Sequence, residues 1–151
     1  MITALFDQIS KDIFAAMKAQ DKVRLQALRN IKKYFLEAKT APGANDELTD
    51  DAALKILVKL SKQGRDAAAL YTEKGRADLA AEEAAQAEVI ESYLPKQLSP
   101  EELESEIRVL IADTGAASMK DMGRVMSLAS KQLAGRAEGK AISEVVKRLL
   151  S

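Results

Sequence analysis

The sequence predicts an all-α protein of about seven helices divided into two helical subdomains. Three observations predict it. Apolar residues recur at three- and four-residue steps through most of the 151 residues, and no segment shows the alternation of a half-buried strand. The segment Tyr93-Leu94-Pro95-Lys96-Gln97-Leu98-Ser99-Pro100-Glu101-Glu102 stops one helix, crosses a short connection and opens another with a strong cap. Hydrophobic residues make up 47% of the chain and aromatic residues only 4%, so the interior must be Ala, Leu, Ile, Val and Met, which suit helix–helix packing. The break divides the chain into an N-terminal subdomain over 1–94, a linker over 95–99 and a C-terminal subdomain over 100–151. Length alone also allows one compact body.

Each element has its own grounds. Ile2, Leu5, Phe6, Ile9, Ile13 and Met17 form one stripe of a first helix that starts near Thr3 and ends near Gln20. Asp21 caps a second helix with Leu28, Ile31, Phe35 and Ala38 inward, while Arg24, Lys32, Lys33 and Lys39 reach water. Pro42 and Gly43 place a loop over residues 40–46. Thr49, followed by Asp50 and Asp51, caps a third helix whose seam runs through Ala53, Leu57, Leu60, Gly64, Ala67 and Tyr71. Gly64 costs about 1 kcal/mol relative to alanine in a helix, so its place on the seam points to a close neighbouring backbone. Gly75 ends this helix, and Arg76 to Leu94 reads as an alanine-rich fourth helix that Pro95 stops. Ser99-Pro100-Glu101-Glu102 opens a fifth helix with Leu103, Ile107, Leu110 and Ile111 inward, closing at Thr114-Gly115. Ser118 and Asp121 open a sixth with Met119, Met122, Val125, Met126, Leu128 and Ala129. After a glycine-bearing loop over 134–140, a last helix from about Ala141 carries Ile142, Val145, Val146, Leu149 and Leu150.

Composition narrows the chemistry. Without cysteine there is no disulfide, thiolate nucleophile or cysteine zinc site, and without histidine the commonest acid–base group and metal ligand is missing. No basic region precedes an apolar run at the start, and no apolar segment approaches the ~20 residues of a membrane span, so a cytoplasmic location without membrane is expected. Formal net charge is zero but unevenly spread: residues 1–40 carry 8 basic and 4 acidic groups, 41–117 carry 8 and 16, and 118–151 carry 7 and 3. A local basic surface can attract phosphate on a neutral protein, since salt screens charges more than ~10 Å apart. Equally, such charges can be solvated helix faces.

The neighbours Ser10-Lys11, Ser61-Lys62 and Ser130-Lys131 each lie inside a helix, where adjacent side chains point ~100° apart and cannot activate one another. Asp50-Asp51, Glu82-Glu83 and Glu101-Glu102-Glu104 have the chemistry to hold magnesium, but two of these clusters sit at helix starts, where the dipole already accounts for them. Neither a metal site nor a cofactor is expected. The run Gly135-Arg136-Ala137-Glu138-Gly139-Lys140 lacks P-loop spacing and follows a helix. Two readings remain for it: a glycine turn between antiparallel helices, or amides beside Arg136 and Lys140 that accept a phosphate.

Three blocks together resemble the GatB/YqeY family, in particular its small stand-alone YqeY-like members. The first contains Arg65-Asp66, Gly75-Arg76-Ala77-Asp78-Leu79 and Tyr93-Leu94-Pro95-Lys96-Gln97-Leu98; the second is Lys120-Asp121-Met122-Gly123-Arg124-Val125-Met126; the third is Gly135-Arg136-Ala137-Glu138-Gly139-Lys140 with Val145-Val146-Lys147-Arg148-Leu149-Leu150. They cover essentially the whole chain. The resemblance implies two all-helical subdomains and kinship with the tRNA-contacting tail of the B subunit of the glutamine-dependent aspartyl- and glutamyl-tRNA amidotransferase. It attaches a carbon–nitrogen ligase label with glutamine as amido-N-donor, yet the domains that carry that reaction have no counterpart here, so no catalytic residue is assigned. Gly64 stands where the family pattern leads one to expect a basic side chain. The resulting expectation is a non-catalytic tRNA-associated protein with phosphate contacts from Lys120, Arg124, Lys131, Arg136, Lys140, Lys147 and Arg148. Its alternatives are an accessory to the ligase activity, partnered with amidotransferase subunits or another translation protein, and a general protein-interaction adaptor.

Overall fold

A computed structural model describes residues 4–151, so Ile2 and Thr3, expected at the start of the first helix, lie outside the described residues. Among these residues the protein is all-helical: α1 Ala4–Ala19, α2 Lys22–Lys39, α3 Asp50–Glu73, α4 Ala77–Glu91, α5 Pro100–Thr114, a 3-10 turn Met119–Asp121, α6 Met122–Gln132 and α7 Gly139–Leu150. They fall into two compact units, residues 1–94 and residues 95–151.

Local chemistry sets most boundaries. Asp21 accepts the Arg24 amide and Thr49 the Ala52 amide, each satisfying a donor that the first turn of a helix leaves unpaired. Ser99 and Glu102 form a reciprocal capping box at 3.1 Å in both directions, with Pro100 as the first helical residue. Gly115 closes α5 at φ +70, a left-handed geometry that costs a side-chain-bearing residue more.

In the first unit α1 to α4 enclose Ile9, Leu28, Ile31, Phe35, Leu57 and Ile90. Gly64 allows α3 and α4 to close on each other: a Cβ there would stand 3.3 Å from the Ala87 Cβ. Any side chain at that position would require Ala87 to give by a few tenths of an ångström. In the second unit α5, α6 and α7 enclose Leu103, Ile107, Leu110, Val125, Leu133, Ile142 and Val146.

Several details depart from the sequence pattern. Met17 and Met119 are exposed rather than inward, Met17 because it lies on the flank of the α1 stripe and Met119 because the start of the sixth element is a 3-10 turn. Helix α4 ends at Glu91, where Ser92 folds its hydroxyl back onto the Val89 carbonyl, three residues before Pro95 could stop it. Helix α7 begins at Gly139, two residues earlier than expected. Lys39 is largely withdrawn from water, its ammonium 5.5 Å from the Phe6 ring centre and 3.6 Å from Asp46. The run 95–99 is not a free tether within its unit. Gln97 donates to the carbonyls of Pro95 and Gly135, and the Leu98 amide donates to the Arg136 carbonyl at 2.9 Å.

Candidate nucleic-acid interface

The seven cations expected to contact phosphate all lie in the second unit, but on different elements. Lys120 belongs to the 3-10 turn, while Arg124 and Lys131 belong to α6. At ~100° per residue Arg124 and Lys131 project within ~20° of each other, opposite buried Val125 and Ala129 and ~10 Å apart along the axis. Lys120, just before the helix, continues this stripe. On α7 the same geometry aligns Lys140 and Lys147, two turns apart and opposite Ile142 and Val146, with Glu144 between them.

Carboxylates engage part of the set. Arg148 binds Glu104 of α5 at 2.6 Å, and Arg124 reaches Asp121 at 3.3 Å. Hydrogen bonding from Arg148 holds the Glu104 carboxyl below the usual carboxylate range, so that pair is charged at neutral pH. Asp121 is also held low, mainly by the Ala117 amide, which leaves its bond to Arg124 secondary. Arg136 is half-buried beside Glu102, on whose carboxyl its charge acts. It lines an open groove of about 320 Å³ that also contains Gln97, Glu138, Glu144 and Arg148, a wall of mixed sign. Lys120, Lys131, Lys140 and Lys147 are exposed and make no ion pair among the described residues. The seven therefore divide into a stripe on α6, a stripe on α7, and two arginines drawn toward carboxylates. They do not form one uninterrupted sheet of positive charge.

The family-motif residues do more for the fold than for any ligand. Arg65 grips Glu91 through two bonds, 2.6 and 3.1 Å, and Ser61 adds a third at 3.1 Å, fastening α3 to α4. Asp66 pairs with Lys62 one turn back, and Arg76 with Asp78 across the start of α4. Tyr93 donates its hydroxyl to Asp12 at 2.5 Å and accepts from Arg24 at 3.1 Å, joining α1, α2 and the segment after α4. Burial, then the bond to Asp12, pushes the Tyr93 phenol above its ordinary value, so the donor keeps its proton. Gly135 takes φ +79 in the turn that receives Gln97. Gly123 and Gly139 each have open space where a Cβ would stand, and Met126 is packed against the second core.

Sequence reasoning missed the Asp12–Arg24–Tyr93 cluster. Its signal is present, because Asp12 follows Ile9 by three residues and Arg24 precedes Leu28 by four, placing charge at the edge of each apolar stripe. Among the described residues no group of three carboxylates gathers as a metal site, and no helix is long and apolar enough to cross a membrane.

These features define a class: an all-helical protein of two small units, with charged side chains on outer helix faces and polar ties inside each unit. The chain belongs to the Yqey-like protein family, whose model matches residues 6–150. No curated protein matches it.

Proposed function

We propose that this protein associates with tRNA without catalysing a reaction on it, through phosphate contacts made by its second unit. The observation that carries the reading is the set of exposed lysines without carboxylate partners, Lys120 and Lys131 on one stripe and Lys140 and Lys147 on the other. Arg124 joins the first stripe readily, because its contact with Asp121 is solvent-exposed and water screens such a pair. Resemblance to the tRNA-contacting amidotransferase tail supplies the choice of polyanion.

Phosphate binding releases counterions from the nucleic acid, so affinity falls as salt rises. A filter-binding titration of total tRNA at low salt tests the reading. Saturable binding is expected, with a salt slope that flattens by about 1 for each contact removed in Lys120→Glu and Lys131→Glu variants. Absence of binding, or binding indifferent to salt, would overturn it.

A further inference from the structure

The first unit carries a different kind of surface, on the outer side of the α1–α2 hairpin. Contacts fix the orientation of the two helices. Asp12 meets Arg24 on one flank, beside Tyr93, and Phe6 meets Lys32 and Lys39 on the other. At ~100° per residue Phe14 and Met17 of α1 share the Phe6 flank, and Lys22, Arg29 and Leu36 of α2 share the Lys32 flank. Side chains from both helices thus form one face.

On that face large apolar groups stand in water: Phe14 is 67% exposed, Met17 48% and Leu36 40%. Lys22 and Arg29, with Lys18 beside Phe14, are exposed and make no ion pair among the described residues. Carboxylates of the hairpin do not neutralise them. Asp12 is held by Tyr93, Asp21 caps α2, Glu37 lies toward the outer edge, and Asp7, two turns before Phe14 on the same stripe, makes no ion pair with them among the described residues.

We propose that this face docks an acidic amphipathic helix of a partner protein. Its apolar side would cover Phe14, Met17 and Leu36, and its carboxylates would meet Lys18, Lys22 and Arg29. The antiparallel register, with Phe6 stacked on Phe35, puts Phe14 level with the second turn of α2, roughly 15 Å along the hairpin from Leu36, so the matching helix has apolar anchors about ten residues apart. Charge complementarity selects the acidic partner. The geometry favours it over a bilayer, because Arg29 and Lys32 lie between the apolar ends and would have to be immersed with them. It favours a protein over RNA because a base can stack on Phe14 alone, whereas Met17 and Leu36 offer no aromatic platform and are covered only by apolar side chains.

Labelled helical peptides of about 18 residues, with leucine at i, i+4, i+7 and i+11 and glutamate elsewhere, test the proposal by fluorescence anisotropy near ~0.1 M salt. Saturable binding is expected, weakened about tenfold by Phe14→Ser with Met17→Ser and similarly by Arg29→Glu with Lys22→Glu. Replacing glutamate by glutamine in the peptide should have the same effect. Val109→Ser, which removes an exposed apolar group of the second unit, should change nothing. Circular dichroism identifies any variant that has lost its helices; in that case the charge reversals, made on exposed side chains, decide the question. Failure to bind any peptide, indifference to both pairs of substitutions, or Arg29-dependent binding to phosphatidylglycerol vesicles or tRNA in preference to the peptides would overturn the proposal.

Discussion

In the first unit, polar side chains join helices far apart in sequence: Tyr93 reaches back to Asp12 and Arg24, and Glu91 to Arg65 and Ser61. In the second unit, inward ties involve the main chain instead, with Leu98 bonded to Arg136 and Gln97 to the Gly135 carbonyl, while its one long-range side-chain pair, Arg148 with Glu104, is at the surface. Their cores differ in the same direction. Phe35 is wholly buried in the first, stacked on Phe6, whereas the second is aliphatic throughout. Three short helices with an aliphatic core are held at their entry by the capping box of α5 and the bond from the Leu98 amide to the Arg136 carbonyl.

The sharpest break of this comparison is Phe35→Ala, which removes the largest fully buried side chain and should cost about 3–5 kcal/mol. Methyl resonances of each unit followed through a denaturant titration should show the first unit's transition moving and the second unit's Val125 and Val146 retaining theirs. Tyr93→Phe should cost about 1–3 kcal/mol, since it leaves the Asp12 carboxylate and Arg24 without their shared partner. An unchanged midpoint for that variant would mean the cluster is incidental. Ser99→Ala, a change in the second unit, should cost about 1 kcal/mol by leaving the Glu102 amide uncapped. If it also moved the first unit's transition, the contrast between the units would fail.

Acid provides the finest test. Hydrogen bonding from Arg65, aided by direct attraction and by Ser61 and opposed by burial, holds the Glu91 carboxyl below its ordinary range. A carboxyl lowered on folding stabilises fully above its unfolded pKa of about 4.3 and loses that contribution as pH falls through the folded value. The Arg65→Met variant should therefore be less stable than the parent at neutral pH, with the gap narrowing below pH ~4. A gap constant with pH would show that Arg65 acts through packing alone.

Helix starts were legible because a cap is a short-range event: Asp21, Thr49 and Ser99 bond to amides three residues on, and nothing distant is needed. Gly64 was legible for a related reason, since a glycine on an apolar seam has few uses besides close packing. Helix ends were less so. Glu91 ends α4 because Ser92 folds back on its own turn, whereas Pro95 only forbade continuation further along. The candidate phosphate contacts were legible as residues but not as a surface, because a one-dimensional charge count cannot say that Glu104, from the preceding helix, engages Arg148.

Taken alone, the order of residues determined the helical class, most caps, the break before Ser99 and the family, since periodicity and local hydrogen bonding are written along the chain. Tertiary structure decided which charges neutralise each other, that Tyr93 closes the first unit onto Asp12, and that Phe14 and Met17 remain in water beside unpaired lysines and arginine. Those outcomes depend on distances between helices, and such distances exist only once the apolar stripes have packed.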